Sequence, residues 1–319
     1  MRGNINYQVQ QLYNEVKDIG VSKHQAKLDA RAGGASTWHE VAQHLGVHSY
    51  STADDYRAIW KQIGEMAKLA GVKDMEKLTG EHARQFLESK IGEGVAAATF
   101  AKYAAACEKL GVALDRYALK NGTGREYKNE KNGFSAQIGA ARKQAKVLEK
   151  FDRSRAYENP SGLIANIANN RHQLAAVLQH QGGCRLHEVS QIKESQLRGV
   201  YADKLDGGEM KGHFIVDGKG GKERTISVSV LAYNRLVSEI QSSDKNQYKI
   251  SESSYGKSIQ KAAVLSTQEG QGTHGLRWSF AQERHQELQQ AGLNYEQSLS
   301  QISNEMGHER QDITEHYLK

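Results

Sequence analysis

The chain has 319 residues, 38% of them hydrophobic and 25% charged, which is typical of a globular protein with about two domains. It contains no run of 18 apolar residues and its first 20 residues are polar, which argues against a membrane span and a secretory signal. The two cysteines, Cys107 and Cys184, match no disulfide or metal framework and favour a reducing cytoplasm. The formal charge of +6 is compatible with a polyanionic partner.

The first predicted element is an amphipathic helix in INYQVQQLYNEVKDIG, ending at Gly20. Its apolar stripe recurs at helical spacing and consists of Ile5, Val9, Leu12, Val16 and Ile19. A glycine-rich break, RAGGAS, follows, and we assign residues 1–35 to this helix and break. An isolated helix of about sixteen residues is marginal in water. The stripe therefore packs either on its own chain or on a neighbouring protomer, and the sequence leaves both open.

Residues 36–119 are predicted to form a bundle of four or five helices. Thr37 and Glu40 have the spacing of a capping box at the start of the first one. Later helical stretches are predicted at 52–70, 79–90 and 96–119. The last of these has an apolar stripe of Phe100, Tyr103, Cys107, Leu110, Leu114 and Tyr117.

Residues 120–160 are predicted to form a basic linker. Between residues 120 and 155, ten basic side chains stand against four acidic ones. Such a segment is either a solvated linker and helix face or a strap that lies along a phosphate backbone. For the second role we select Lys131, Arg142, Lys143, Lys146, Lys150 and Arg153.

From residue 161 onward the pattern mixes helices with short strands. A helix is predicted in IANNRHQLAAVLQHQ, before the glycine turn GGCRLHE. The stretch HFIVDGKGGKERTISVSV predicts a hairpin, with an alternating apolar strand after its tip (Ile226, Val228 and Val230). The remainder is predicted to be helical, closing with one short helix from Gln311 that places Ile313 and Tyr317 on one face. We therefore expect a mainly α protein with a small β-sheet.

Five polar features follow one another in this second part. They are Arg185 with Glu188, the hairpin-tip lysines Lys219 and Lys222, His274 with Arg277, His308 after a glycine, and Tyr317. Arginine forks bind non-bridging phosphate oxygens and can neutralise the charge on a five-coordinate phosphorus. A tyrosine hydroxyl needs a neighbouring base, which histidine can supply, and a lysine can protonate a departing 5′ oxygen. The set suits phosphoryl transfer to tyrosine, with arginines in place of a metal.

These motifs resemble the catalytic domain of the tyrosine recombinases, the phage integrase family, over about residues 174–319. GCRLHEV resembles that family's first arginine box and HGLR its second. MGHERQDITEHY resembles the closing box, with nine residues from His308 to Tyr317 and with Thr314 between them. The bundle at 36–119 resembles the family's core-binding domain in size and position. The resemblance implies a helical bundle followed by a mixed α/β catalytic domain at 161–319.

The resemblance also implies a role for each polar residue. The family's roles are nucleophile for Tyr317, phosphate clamp for Arg185 and Arg277, hydrogen-bond donor to the phosphate for His308, proton acceptor for His274 and general acid for Lys219. Glu188 orients the site, and Lys222 is the alternative general acid. The 3′-phosphotyrosyl link conserves the phosphodiester energy, so neither ATP nor another cofactor is implied. No metal is expected either, because His274, His285, His308 and His316 match no zinc spacing.

Two features depart from the family's pattern. Arg277 and His308 lie 31 residues apart, which is longer than usual, so ERHQELQQAGLNYEQS is expected to form an enlarged helix or loop. Only Leu318 and Lys319 follow Tyr317, whereas many relatives continue into a helix that docks on the neighbouring protomer. We therefore hypothesise that the N-terminal helix packs on a neighbouring protomer instead.

Three hypotheses for the function follow. The first is a cytoplasmic, nucleoid-associated DNA recombinase of a bacterium or phage, acting on double-stranded DNA. It would form a homotetramer on two DNA sites, be monomeric without DNA, have no membrane partner and accept accessory DNA-bending proteins. The second is a type IB topoisomerase-like relaxase, and the third is a DNA-binding protein that has lost catalysis. The helical bundle favours the first, because a recombinase needs a clamp around each half-site.

Overall fold

The computed structural model describes residues 1–129, 132–150, 152–203, 207–218, 223–308 and 310–319, except for the side chain of His39. The chain divides into two compact units, Met1–Phe151 and Asp152–Lys319. This single boundary differs from the divisions expected after residues 35, 119 and 160. Within the described ranges, every helix is too short or too polar to span a bilayer.

The first unit is helical in the ranges that the structure describes. Its helices are α1 (Ile5–Asn14), α2 (Lys23–Ala32), α3 (Trp38–His44), α4 (Tyr50–Leu69), α5 (Gly80–Gly92), α6 (Ala97–Lys120) and α7 (Phe134–Gln144). The core lies around α4 and α6, where Trp60 and Leu110 are fully buried. The capping box at the start of α3 is confirmed, because the Glu40 amide donates to the Thr37 hydroxyl at 3.2 Å and the Thr37 amide donates to Glu40 at 3.1 Å.

Helix α1 is shorter than predicted but packs in the core of its own unit. It ends at Asn14 rather than near Gly20. Its apolar stripe nevertheless stays buried through Val16, in the same hydrophobic cluster as residues of α4 and α6. The hypothesis that this stripe packs on a neighbouring protomer is therefore wrong, because its apolar face is already covered within the chain.

The segment expected to be a basic linker contains a helix of the first unit. Phe134, Ile138 and Ala141 of α7 are fully buried in the unit's core. Arg142 pairs with Glu108 at 2.6 Å, whereas the selected lysines of this segment that the structure describes (Lys143, Lys146 and Lys150) are exposed. Arg153 belongs to the second unit, and Lys131 lies outside the described residues. An amphipathic helix with a basic outer face therefore accounts for part of the charge.

The second unit mixes helices with two small antiparallel sheets, which confirms the predicted fold class. In chain order its elements are α8 (Pro160–Ala165), α9 (Asn170–Gly182), α10 (Leu186–Ser190), β1 (Gln191–Lys193), β2 (Leu197–Asp203), β3 (Glu209–Asp217), β4 (Glu223–Ser229), α11 (Val230–Gln241), β5 (Gln247–Lys249), α12 (Glu252–Leu265), α13 (Gly272–Gln290), α14 (Tyr295–Met306), α15 (Gln311–Glu315) and a closing 3₁₀ turn (His316–Leu318). The strand orders are β1-β5 and β2-β3-β4.

The predicted hairpin is formed by β3 and β4. The two strands pair antiparallel, with Phe214 opposite Ile226. Val230 was expected to continue the strand, but it begins α11 because the Ser229 hydroxyl caps the helix by accepting from the Ala232 amide at 3.3 Å. The third strand, β2, was not predicted. Lys219 and Lys222, at the hairpin tip, lie outside the described residues.

Two helical predictions in this unit need adjustment. The helix predicted in IANNRHQLAAVLQHQ is α9, which begins later than expected, at Asn170, because Asn169 caps it by accepting from the amides of Arg171 and His172 at 3.0 Å. The short helix before it, α8, was not predicted. The enlarged element expected between Arg277 and His308 is α13, which has 19 residues and turns into α14 after Gly292.

Candidate active site

Tyr317 lies in the closing 3₁₀ turn and is 9% exposed. Its ring packs on Trp278 of α13, with ring centroids 4.9 Å apart. Gln282, one turn further along α13, donates to the carbonyl of Tyr317 at 3.2 Å. Ile313 was expected on the same buried face but is 39% exposed, and Thr314 is buried in its place. The chain tightens from α-helix to 3₁₀ geometry between these residues and Tyr317, which changes the angular spacing.

His274 holds the hydroxyl of Tyr317. Its Nε2 lies 2.8 Å from Tyr317 Oη, and it sits in the first turn of α13. Burial, together with the charges of Arg277, Arg155 and Arg185, lowers the pKa of His274 to about 4. The imidazole is therefore neutral near pH 7 and can accept the tyrosine proton.

Arg277 is fully buried one turn after His274. Its Nη1 donates to the Gly183 carbonyl, and its Nη2 lies 2.6 Å from the Met306 carbonyl and 2.9 Å from His308 Nε2. Burial and two neighbouring arginines lower its pKa to about 10. Its Nε–H is buried and meets no acceptor within the described parts of the chain. A buried cation whose hydrogen-bond partners are neutral favours an anionic ligand.

Arg185 and Glu188 form a local unit at the start of α10. The Glu188 carboxylate accepts from the Arg185 amide at 2.6 Å and from its Nη1 at 2.8 Å. Arg185 Nη2 donates to the Gly307 carbonyl at 3.3 Å. One carboxylate thus caps the helix and fixes the direction of the arginine side chain.

Glycines in the left-handed conformation bring these segments together. Helices α9 and α14 both end at such a residue, Gly183 with φ 59° and Gly307 with φ 64°. A Cβ on Gly183 would lie 2.5 Å from the Phe280 ring, and one on Gly307 would lie 2.9 Å from Arg224 Cδ. Both positions therefore require glycine, which explains why glycines precede Arg185 and His308 in the sequence motifs.

Arg224 of β4 is a member of the cluster that the sequence analysis missed. Its Nη2 pairs with Glu188 at 2.5 Å and donates to the Gly183 carbonyl at 3.4 Å, while its Nη1 donates to the Glu305 carbonyl. Burial by itself raises the pKa of Glu188, but the Arg224 charge and hydrogen bonds from both arginines outweigh burial and lower it. The sequence did contain a signal for Arg224. Residues 224, 226 and 228 alternate along the predicted strand and therefore point to the same face, and Ile226 and Val228 are buried.

His308 is held between Arg277 and a buried hydroxyl. Its Nδ1 lies 2.7 Å from Thr314 Oγ1, opposite the contact between Nε2 and Arg277. Burial and the charges of Arg277, Arg185 and Arg224 lower the pKa of His308 to about 3, so the ring is neutral near pH 7. Its ring centroid is 5.4 Å from that of Tyr317.

The structure thus gathers six predicted residues and one further arginine into one mainly cationic cluster. These are Tyr317, His274, Arg277, Arg185 and His308, with Arg224 added and Glu188 as the buried acid between two arginines. Among the described residues, no group of three or more His, Cys, Asp and Glu is placed to hold a metal ion. The arrangement is suited to an anion with a phosphorus or carbonyl centre beside the tyrosine hydroxyl.

Comparisons with known proteins agree on the architecture. No family model and no curated protein matches the chain. Among solved structures, XerH site-specific recombinase bound to difH substrate, in its pre-cleavage complex, has a TM-score of 0.60 at 13% identity, over 100% of this chain and 95% of that one. A lambda integrase dimer bound to a COC′ core site has a TM-score of 0.59 at 17% identity, over 95% and 78%.

The chain has the tyrosine recombinase fold. The Tn1549 transposon integrase, in complex with transposon right end DNA, is a third example at a TM-score of 0.51 and 13% identity, over 94% of this chain and 95% of that one. At such identities the likeness concerns the tyrosine recombinase fold alone. The chemistry of this chain depends on its own side chains.

Proposed function

We propose that this chain is a site-specific DNA recombinase that cleaves and rejoins double-stranded DNA through a 3′-phosphotyrosyl link at Tyr317. The observation that carries the proposal is the 2.8 Å hydrogen bond between Tyr317 Oη and the neutral imidazole of His274, beside the buried cation of Arg277. A nucleophile, its base and a cationic phosphate site are thereby combined.

The reaction follows from these groups. Tyr317 Oη attacks the phosphorus of the scissile phosphate, and its proton passes to His274 Nε2. The bond from phosphorus to the 5′ oxygen breaks, and that oxygen takes a proton from Lys219 or, alternatively, from Lys222. The new phosphodiester to tyrosine keeps one negative charge, so attack by another 5′ hydroxyl reverses the step without ATP. No metal or other cofactor is required.

Arg185 and Arg277 are the proposed phosphate clamp. Charge increases on the non-bridging oxygens as phosphorus becomes five-coordinate, and fixed guanidinium donors stabilise that charge more strongly than water does. The Glu188 carboxylate holds Arg185 in place through one oxygen and pairs with Arg224 through the other. Removing one donor of this kind commonly slows a reaction by about 10²–10³-fold.

The first unit is the proposed DNA clamp, corresponding to the core-binding region expected at 36–119. Its exposed lysines Lys143, Lys146 and Lys150, with Arg142 and, in the second unit, Arg153, are candidates for backbone contacts. A lambda integrase tetramer is bound to a Holliday junction in one similar structure. We infer that this chain also acts as a homotetramer on two DNA sites, at the nucleoid.

The test uses a pool of nicked duplexes with a randomised site, in EDTA and without ATP. The nick releases a short fragment with a 5′ hydroxyl, so a covalent adduct accumulates and its DNA can be sequenced. We expect an adduct that survives detergent with the native chain and none with Tyr317→Phe. Tyr295→Phe is the matched control and should retain the adduct, because Tyr295 is 40% exposed.

Each other outcome identifies an alternative. An adduct with Tyr317→Phe would remove Tyr317 from its role. Adducts without sequence preference would favour the topoisomerase-like relaxase, and sequence-specific binding without any adduct would favour the catalytically silent protein. Lys219→Ala and Lys222→Ala can be separated with a 5′-bridging phosphorothiolate, since sulfur leaves without protonation and rescues only loss of the general acid.

A further inference from the structure

A line of four buried or partly buried hydrogen bonds runs from helix α14 through α15 to the guanidinium of Arg277. Ser303 Oγ lies 2.8 Å from the Leu299 carbonyl and 2.7 Å from Thr314 Oγ1. Thr314 Oγ1 lies 2.7 Å from His308 Nδ1, and His308 Nε2 lies 2.9 Å from Arg277 Nη2. Thr314 and Arg277 are fully buried and Ser303 is 4% exposed.

The two ends of this line fix the direction of every proton in it. A guanidinium group only donates, so His308 Nε2 must be the acceptor and carry no proton. The neutral ring then has its proton on Nδ1, which donates to Thr314 Oγ1. A carbonyl only accepts, so the single hydroxyl proton of Ser303 goes to Leu299. Thr314 must therefore donate its own proton to Ser303.

We propose that Thr314 and Ser303 are positioning residues that hold the proton of His308 on Nδ1, so that Nε2 accepts from Arg277 and fixes its guanidinium for the phosphate. The consequence for DNA cleavage rests on the proposed function, whereas the tautomer itself does not. The lowered pKa of His308 agrees with a neutral ring.

This assignment differs from the donor role that the family resemblance implies for His308. To donate to a phosphate oxygen, the ring needs its proton on Nε2, pointing at the Arg277 donor. Thr314 would have to rotate to donate to Nδ1, and Ser303 would have to leave the Leu299 carbonyl. In the DNA-free protein, His308 is therefore an acceptor that orients Arg277.

The same hydroxyl also positions the nucleophile segment. Thr314 lies three residues before Tyr317, and its contact with Ser303 joins α15 to α14. Loss of the Thr314 hydroxyl thus affects both His308 and the segment that carries Tyr317. Loss of the Ser303 hydroxyl affects the line of hydrogen bonds at its α14 end only.

The experiment measures ¹⁵N chemical shifts of histidine in the full-length, DNA-free chain, with His308 assigned from the spectrum of His308→Asn. Nδ1 and Nε2 shifts differ between the two neutral tautomers. We expect the form protonated on Nδ1 in the native chain. Thr314→Val should move the two shifts toward an average of both tautomers, and Thr314→Ser should restore the native pattern.

Ser303→Ala is the second variant, because it removes the acceptor for Thr314 without altering α15. It should move the His308 shifts in the same direction, while Ser298→Ala should not. Ser298 is the matched control, since it is also buried in α14 and donates to the Asn294 carbonyl at 2.8 Å. Cleavage should fall by about tenfold or more in Thr314→Val with DNA affinity unchanged, the range seen for outer partners of metal-binding histidines.

A native His308 protonated on Nε2 would overturn the proposal. So would unchanged shifts in both Thr314→Val and Ser303→Ala. If Thr314→Val fails to fold, the His308 shifts of the native chain and of Ser303→Ala still test the proposal. Because the tautomer is measured without DNA, a result that contradicts this proposal can be distinguished from a failure of the adduct test, which would contradict the proposed function.

Discussion

The two units of the chain bury different kinds of side chain. Among the described residues, the first unit buries only Gln8 and Lys128 as polar side chains. The second buries nine: His172, Gln179, Glu188, His213, Arg277, Ser279, Ser298, Ser303 and Thr314. Burying a polar group is unfavourable unless it is hydrogen-bonded. Four of the nine, Glu188, Arg277, Ser303 and Thr314, are joined by hydrogen bonds to the candidate active site. The first unit therefore has an almost wholly apolar core, whereas the second combines an apolar core with a hydrogen-bonded polar site.

The largest effect is expected in the apolar unit. Leu12→Ala removes a fully buried side chain of α1 and should lower the free energy of unfolding of this unit by up to about 5 kcal/mol, because a cavity remains. The measurement is hydrogen exchange of peptides from each unit during denaturation. Tyr7→Ala, at a 54% exposed position of the same helix, is the control. An equal loss in both variants would mean that the stripe of α1 is not part of this core.

In the polar unit we expect stability and activity to be coupled. Arg224→Met leaves the buried Glu188 with Arg185 alone and should destabilise the second unit by about 3 kcal/mol, because a buried ion pair loses one partner. It should also slow adduct formation, since Glu188 positions Arg185. Arg198→Met is a surface control, because in the part of the chain that the structure describes this exposed side chain donates to nearby carbonyls of its own segment. A stable Arg224→Met variant with full activity would contradict the role of Arg224.

Sequence reasoning succeeded in the two units for different reasons. In the first, apolar spacing predicted the stripes around Leu12 and Leu110 well, but it missed α2 and α7 and set the end of α1 too late. In the second, the order of motifs selected residues that the structure brings together from separate elements. Arg224 was missed because it lies in no motif, and Val230 was assigned to a strand because its apolar character does not reveal the Ser229 cap. The spacing of residues in the sequence identifies apolar stripes and polar motifs. Helix caps and tight turns depend on single hydrogen bonds, which that spacing does not reveal.

A smaller effect is expected at the surface of the first unit, away from its apolar core. Thr37→Ala removes the hydroxyl that caps α3 and should lower stability by about 1 kcal/mol. Thr37→Ser keeps the acceptor and should recover most of the loss. Exchange rates of α3 peptides provide the measurement, and loss in both variants would point to the threonine methyl group rather than to the cap.

The smallest effect is expected in the pH dependence of the cleavage rate, because burial changes the pKa of His274 in the polar site. His274 must be unprotonated to accept the proton of Tyr317. Its pKa is lowered to about 4 in the folded chain, so the base form persists well below the usual histidine range and the acid limb of cleavage moves to lower pH. At sub-saturating DNA concentrations, the pH dependence of the cleavage rate reports the pKa values of the DNA-free protein. A substrate with a 5′-bridging phosphorothiolate removes the need for the general acid, so the titration of the lysine does not affect the rate. Under these conditions the rate should change by less than about twofold between pH 5.5 and 7.5. An acid limb centred near the ordinary histidine pKa of about 6.5 would show that His274 is solvated, and not buried, in the working protein.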